Sequence, residues 1–467
     1  MNKISGMLAA AVALAVTEAG AVKVELDFSR EVGPVKPVNS VGQPPMFGGP
    51  TNFQMFHYLK EAGVPYARLH DVGGWMGGGL WVDIPNLFPD FDADETNPKN
   101  YRFDLTDALL KALVANGVEP YFRLGVTIEN FAGAGFQPRR SLPPKDFAKW
   151  ARICEQVIRH YTEGWADGCK LKVSYWEIWN EPDNFPEIEK NCMWKDDFES
   201  YVRFYGVVAP YLKAKFPHLK IGGYGSCGFY AGIGAGQVKA ANSSPRLEHF
   251  VTCAHQFLKA AKANGWPLDF FSFHSYSRPA EAVRQVCFAD EFLNQYGFTR
   301  DKTERHFNEW LPHVGRQGTA QQAAGIAAEL IGLQNGPCDL ACIYDARCGV
   351  GDYSPLFNPM TCKPHKAYYA FTAFNELRRC GQAVRVTVDG ASGLSAAAAK
   401  GPDGAAIFLA NDTDGEIPVS FRGLDGLMVK EIRCTDRERT DALVGAQDVS
   451  SALVLPAQSF AVVRLAR

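Results

Sequence analysis

Val173-Ser174-Tyr175-Trp176-Glu177-Ile178-Trp179-Asn180-Glu181-Pro182-Asp183 is the stretch on which the fold turns. Its first half, Val173 to Ile178, is short and apolar on both faces, the pattern of a buried parallel strand rather than a half-exposed one. Pro182 has no N–H to offer a neighbour, so it ends the ladder just past the carboxylate of Glu181. Helical patterns flank the strand. Over residues 145–161, Phe147, Trp150, Ala151, Cys154, Val157, Ile158 and Tyr161 recur at spacings of three and four, with Lys149, Arg152, Glu155 and Arg159 on the opposite face. A second helical pattern covers 196–215.

The same alternation runs outward in both directions. Strand-like runs stand at Val38–Val41, Tyr66–Leu69, Val118–Leu124, Val173–Ile178, Leu219–Gly223, Leu268–Phe273, Arg305–Asn308 and Leu340–Tyr344. Each is followed by a helix pattern, near 53–62, 105–115, 145–161, 196–215, 246–264, 281–296, 319–335 and 365–378. Eight strand–helix pairs in order predict an α/β fold, a (β/α)8 TIM barrel in which Val173–Ile178 is the fourth strand. The pattern changes near residue 380. Short strands at 384–388, 393–398, 405–410, 417–421, 428–434 and 459–465, divided by Gly and Asp turns, predict a C-terminal β-sandwich. The expected division is a signal peptide at 1–21, the barrel over 22–378 and the sandwich over 379–467, with residues 22–30 offering the sandwich an extra strand.

The signal-peptide reading rests on Lys3, the short apolar run Met7–Val16 and the small-residue site Ala19-Gly20-Ala21, after which no lipid-anchoring Cys follows. It implies a secreted or periplasmic protein whose mature chain begins near Val22. No further apolar run reaches membrane-spanning length. The net charge is −3 without a basic block, which argues against a nucleic-acid partner and suits a neutral or weakly charged substrate. Oligomeric state is not readable. Twelve cysteines permit disulfides in an exported chain. The cluster Cys338, Cys342, Cys348 and Cys362 lacks paired C-x-x-C units, so thiols or disulfides are expected there rather than zinc. Neither a metal nor an organic cofactor is expected. Gly223-Tyr224-Gly225-Ser226-Cys227-Gly228 matches a dinucleotide fingerprint only formally, because no helix pattern follows at once.

In a barrel the reactive groups stand where strands end. Glu181 stands there on strand four. Trp176 and Trp179 suggest an apolar setting that would raise its pKa, as a general acid requires. Asn180 beside it suits a sugar hydroxyl. Glu177 falls on another side of the strand and is set aside. The second carboxylate is Glu309 in His306-Phe307-Asn308-Glu309-Trp310, at the end of strand seven and 128 residues further on. Two carboxylates across a sugar are the equipment for glycosidic cleavage, with retention at about 5–5.5 Å and inversion at about 6.5–9.5 Å. Trp310 is placed to stack on a sugar. Arg123, at the end of strand three, is read either as an acidic-sugar contact or as part of a structural ion pair.

These residues resemble clan A of the retaining (β/α)8 glycosidases, and within it glycoside hydrolase family 39, the β-xylosidase and α-L-iduronidase family. The resemblance is carried by Arg68-Leu69-His70-Asp71, by Trp176 to Asp183 with Trp194 and Tyr201, by Asp269 to Tyr276, and by Lys366 to Ala370. It covers about residues 36–378. The eighth strand departs from it, lacking the Trp such barrels often carry. The resemblance implies Glu181 as general acid/base and Glu309 as nucleophile. It also implies Arg68 orienting Glu309, Tyr276 bonding Glu309, and His70, His274 and Tyr276 lining the sugar site. Another clan A endo- or exo-glycanase, or a non-catalytic carbohydrate-binding barrel, remains an alternative.

Overall fold

The protein is described by a computed structural model over residues 20–46, 53–72, 82–129, 140–232, 243–390, 393–444 and 453–466. Eight parallel strands close on themselves: β2 (Ser40–Gly42), β3 (Tyr66–Leu69), β4 (Glu119–Leu124), β5 (Tyr175–Ile178), β6 (Lys220–Ser226), β7 (Phe270–Ser275), β8 (Glu304–Trp310) and β9 (Leu340–Ile343). Closure is made by β9 on β2, with Val41 opposite Ile343. Helices at 104–115, 147–162, 198–215, 245–264, 279–295, 320–335 and 368–380 follow successive strands. Their starts obey ordinary capping. Asp146, Asp197, Ser244 and Thr319 each accept a backbone N–H three residues on, satisfying donors that have no partner within the helix.

Because strand side chains alternate, one residue in two enters the barrel. The lowest interior layer is aromatic and apolar, with Tyr121, Phe270, Leu340 and Cys342 buried together and Tyr66 and Tyr175 against them. Above it comes a polar layer of Arg68, Glu177, Ser272 and Asn308, all fully buried. The rim at the strands' C-terminal ends carries Glu181 and Glu309. On β5 the apolar neighbours Trp176 and Ile178 point the other way and join the core between strands and helices.

Residues after 380 form a sheet in the order β15-β14-β17-β12-β11-β10-β1-β13-β16. Its members are β1 (Val22–Pro34), β10 (Gln382–Val388), β11 (Leu394–Gly401), β12 (Gly404–Asn411), β13 (Ile417–Arg422), β14 (Met428–Thr435), β15 (Ala442–Leu443), β16 (Leu453–Leu455) and β17 (Ser459–Ala466). The N-terminal strand β1 lies between β10 and β13, antiparallel to one and parallel to the other. All nine strands are linked edge to edge, and the sheet curls so that strands far apart in that order face each other across one core, as the layers expected of a sandwich do. Val24 of β1, Val419 of β13 and Leu455 of β16 share a core with Ile407 and Leu409 of β12. The alternate residues Ala406, Phe408 and Ala410 face the other way and join the barrel's core. They pack against the helices at 320–335 and 368–380.

Residues 1–19, with most of the expected signal peptide, lie outside the described residues, as do Trp75, Trp81 and the Gly77-Gly78-Gly79 run. Among the described residues no helix is long and apolar enough to cross a membrane. All twelve cysteines are free thiols, so the disulfides that an exported chain permits are not formed here.

Candidate active site

The chain leaves β5 through a backbone that few side chains adopt. Trp179 and Glu181 both have left-handed φ angles, +72° and +44°, a conformation that disfavours a residue with a Cβ and persists only when its surroundings impose it. The surroundings are visible. Trp179 N–H donates to Leu124 O at 2.8 Å and Glu181 N–H to Gly225 O at 2.9 Å. The indole of Trp179 donates to Met193 O at 2.8 Å, and the Tyr201 hydroxyl to Ile178 O at 2.9 Å. The loop is thus pinned to both adjacent strands, and Glu181 is lifted over the barrel mouth.

Glu309 arrives from β8. The register of β7 on β8 sets His274 beside it. One oxygen of Glu181, one ring nitrogen of His274 and one oxygen of Glu309 lie within 4.8 Å of one another, the acid–histidine–acid group among the described residues that is compact enough to share an ion. His274 Nδ1 is 2.8 Å from Glu181 Oε1, and its Nε2 is 3.7 Å from Glu309 Oε2. Asn184 Nδ2 donates to Glu181 Oε2 at 2.8 Å. The Tyr276 hydroxyl donates to Glu309 Oε1 at 2.5 Å. Arg68 spreads its guanidinium over three acceptors: Nε on Glu177 Oε2 at 2.8 Å, Nη1 on Glu309 Oε2 at 3.0 Å and Nη2 on Asn180 Oδ1 at 2.5 Å. Asn180 Nδ2 is buried and has no partner among the described residues, which leaves a donor beside the reacting centre.

The charges settle unlike the expectation from sequence. Burial pushes the Glu181 carboxyl up, but the His274 hydrogen bond and charge, with Asn184, outweigh it and hold Glu181 below its ordinary value. Trp176 and Trp179 are buried in the core behind the strand and do not supply the apolar pocket foreseen for it. Burial would lower His274, but the Glu309 charge and the Glu181 hydrogen bond raise it. For Glu309, burial and the Glu181 charge win over His274, Arg68 and Tyr276, and the carboxyl lies above its ordinary value. His70 is driven well down, first by burial and then by the Arg123 and Arg68 charges, so its ring is neutral. Together these directions favour a proton on the His274 ring beside an ionised Glu181.

Glu177, set aside on sequence, is the anion beneath the site. It accepts from Arg68, from Ser272 Oγ at 2.7 Å and from Asn308 Nδ2 at 2.6 Å. Its buried charge is what fixes Arg68 under Glu309. Strand parity alone puts it inside the barrel, and that was the signal available for it.

A cavity of about 410 Å³ opens over these groups. Its wall includes His70, Glu181, Tyr276 and Glu309. It also includes Asp71, Tyr344 and Arg347, which sequence reading did not single out. Arg123 is fully buried, paired with Asp83 at 2.7 Å, and does not line the cavity, so the ion-pair reading holds for it. Trp310 is a correction. Its side chain is completely buried in the barrel core, leaving no ring face for a sugar.

A closed (β/α)8 barrel with two facing carboxylates at its C-terminal rim is the architecture of glycoside-cleaving barrels. The family model of glycosyl hydrolases family 39 matches residues 60–310, and the chain belongs to that family. A protein named β-xylosidase from Geobacillus stearothermophilus is 26% identical over 211 residues, a stretch covering 44% of this chain and 36% of that relative. The fold is similar over 97% of this chain and 100% of the other to a glucosidase from Croceicoccus marinus, at 20% identity and a TM-score of 0.74. It is also similar to a family 51 α-L-arabinofuranosidase from Bifidobacterium longum, at 14% identity and a TM-score of 0.63, over 97% and 100% of the two chains.

Proposed function

We propose that the protein hydrolyses O-glycosidic bonds with retention of configuration, through a glycosyl-enzyme intermediate on Glu309. The observation that carries this reading is the approach of the two carboxylates, whose nearest oxygens lie within 4.8 Å. A spacing near 5 Å leaves no room for the water that an inverting mechanism holds between them. Glu309 attacks the anomeric carbon while Arg68 and Tyr276 hold its oxygens. The Glu181–His274 pair releases its proton to the departing oxygen through Glu181. In the second half Glu181 takes a proton from water, which displaces the sugar. Arg68 steadies the carboxylate that re-forms on Glu309, since a buried guanidinium favours the ionised state of its neighbour. The family and the β-xylosidase relative make a xyloside the first substrate to try, and an iduronidase-like specificity the second.

The test is a panel of aryl glycosides run with the parent, Glu181→Gln and Glu309→Gln, the anomer of the first product being read by NMR. Glu309→Gln should lose about 10³-fold or more on every substrate. Glu181→Gln should spare glycosides with activated phenol leaving groups in the first step, because those need little protonation. An inverted first product, or full activity of Glu309→Gln, defeats the proposal. The export reading belongs here as well: protein recovered from the periplasm or medium should begin near Val22, and an uncleaved N-terminus would refute it.

A further inference from the structure

Arg246 stands apart from the other arginines around the barrel mouth. Arg68, Arg123 and Arg347 each sit against a carboxylate: Glu177 and Glu309, Asp83, and Asp345 respectively. Arg246 has no carboxylate within ion-pair distance among the described residues. Its Nε donates to Asn184 O at 2.8 Å, and its two Nη groups bond to no described residue. Yet it is held in place. Its guanidinium carbon lies 4.1 Å from the ring centre of Phe185 and 5.1 Å from that of Phe250. Two aromatic contacts fix the plane of the group and reduce the freedom lost on binding a ligand.

Its position relative to the chemistry is defined. Arg246 lines the cavity together with Asn184, Cys227 and Phe250. Asn184 links it to the acid/base, since that side chain donates to Glu181 Oε2 while its carbonyl accepts from Arg246. Glu309 is held from the other side, by Arg68 and Tyr276. In a glycosidase the leaving group departs on the side of the acid. A half-buried, oriented cation on that side, whose Nη groups bond to no described residue, is therefore addressed to the leaving group rather than to the sugar that reacts.

We propose that Arg246 is the anchor of a leaving-group subsite for a carboxylate-bearing aglycone, such as a uronate or a carboxylated phenol. The planar fork of a guanidinium matches a carboxylate edge to edge, and charge-assisted pairs of this kind are about twice as strong as neutral ones. The half-buried position strengthens the pair relative to one on the open surface. The inference rests on the hydrolase reading for its sense of direction, but its test does not depend on turnover.

The probes are 3-carboxyphenyl β-D-xyloside and its methyl ester. Calorimetric binding is measured on Glu309→Gln, with and without Arg246→Gln, and with Arg246→Lys as the conservative change. The acid should bind Glu309→Gln at least about tenfold tighter than the ester. Arg246→Gln should erase that preference, Arg246→Lys should keep part of it, and added salt should weaken the acid alone. In the parent, the acid-to-ester ratio of kcat/KM should fall by about the same factor when Arg246 becomes Gln. A misfolded variant would lose both ligands together, whereas the ratio moves only if the charge is read. Absence of an acid preference, or its persistence in Arg246→Gln, overturns the subsite. If the preference appears but neither xyloside is turned over, the subsite stands and the xyloside specificity falls.

Discussion

Asp345 shows what a single buried carboxyl does to this site. It follows β9 beside Tyr344, with Arg347 Nε at 3.1 Å, yet burial outweighs that arginine and pushes its pKa up to about 8. Below about 3.8 the group is protonated in both folded and unfolded chains and has no effect. Between there and about pH 8 the folded protein keeps a proton that the unfolded chain has released. Stability therefore falls as pH rises through that window, by at most about 1.4 kcal/mol per pH unit. Asparagine has the same shape and does not titrate. Urea unfolding of Asp345→Asn and the parent should move in the variant's favour by about 2–4 kcal/mol between pH 5 and pH 8. A gap that stays constant would mean Asp345 is ionised against Arg347. Neither residue was legible in sequence, because both lie in the loop after β9, where no periodicity says which side chains turn inward. Glu181, Glu309, Arg68, His274 and Tyr276 were legible because they sit at strand ends or inside a recognisable motif. Trp310 misled for a related reason: adjacency to Glu309 in the chain puts it on the opposite face of the strand, behind the site.

The helix at 320–335 argues at the next scale. Its run of Ala and Gly lets the curled sheet approach closely, and nearly all of its residues are buried. Inside it lies Glu329, with both carboxyl oxygens buried and without a hydrogen-bond partner among the described residues. Burial, and then the charge of Asp412, hold its pKa well above the ordinary value. An unpartnered buried carboxyl costs about 1–3 kcal/mol, and a chain of similar volume without polar atoms avoids that cost. Glu329→Met should raise stability to urea by about that much, and by more at pH 8 than at pH 5, where the unfolded chain's preference for the ionised form is weaker. A destabilised Glu329→Met would show that the carboxyl has a partner the helix depends on. The helix was legible from its pattern and the Thr319 cap. The burial of the acid within it was not legible, because the sheet that covers that face comes from residues 394–466, and a single helix's pattern cannot announce a distant partner. The short strands β15 and β16 escaped notice for the same reason, being defined only by their neighbours.

At the scale of the whole molecule, barrel and sheet share one core. Phe408 of β12 contacts Phe374 of the helix at 368–380 and Phe460 of β17, at ring separations of 6.4 and 6.0 Å. The strand β1 lies between strands that follow the barrel in sequence, so the sheet is complete only with segments from both sides of the barrel. Such an arrangement should unfold as one cooperative unit rather than as two. The sequence supplies its own reporter. All nine tryptophans fall between residues 75 and 310, so indole fluorescence sees the barrel and is blind to the sheet. Truncating a buried phenylalanine costs about 3–5 kcal/mol wherever its core is engaged. Phe408→Ala, a change on a sheet strand at the core shared with the barrel, should therefore lower the fluorescence-detected urea midpoint of the barrel, and the midpoint by far-ultraviolet circular dichroism should fall with it. If the fluorescence midpoint stayed at the parent's value while dichroism split into two steps, the sheet would be an independent domain resting on a self-sufficient barrel. The coupling then drawn from the shared core would be wrong.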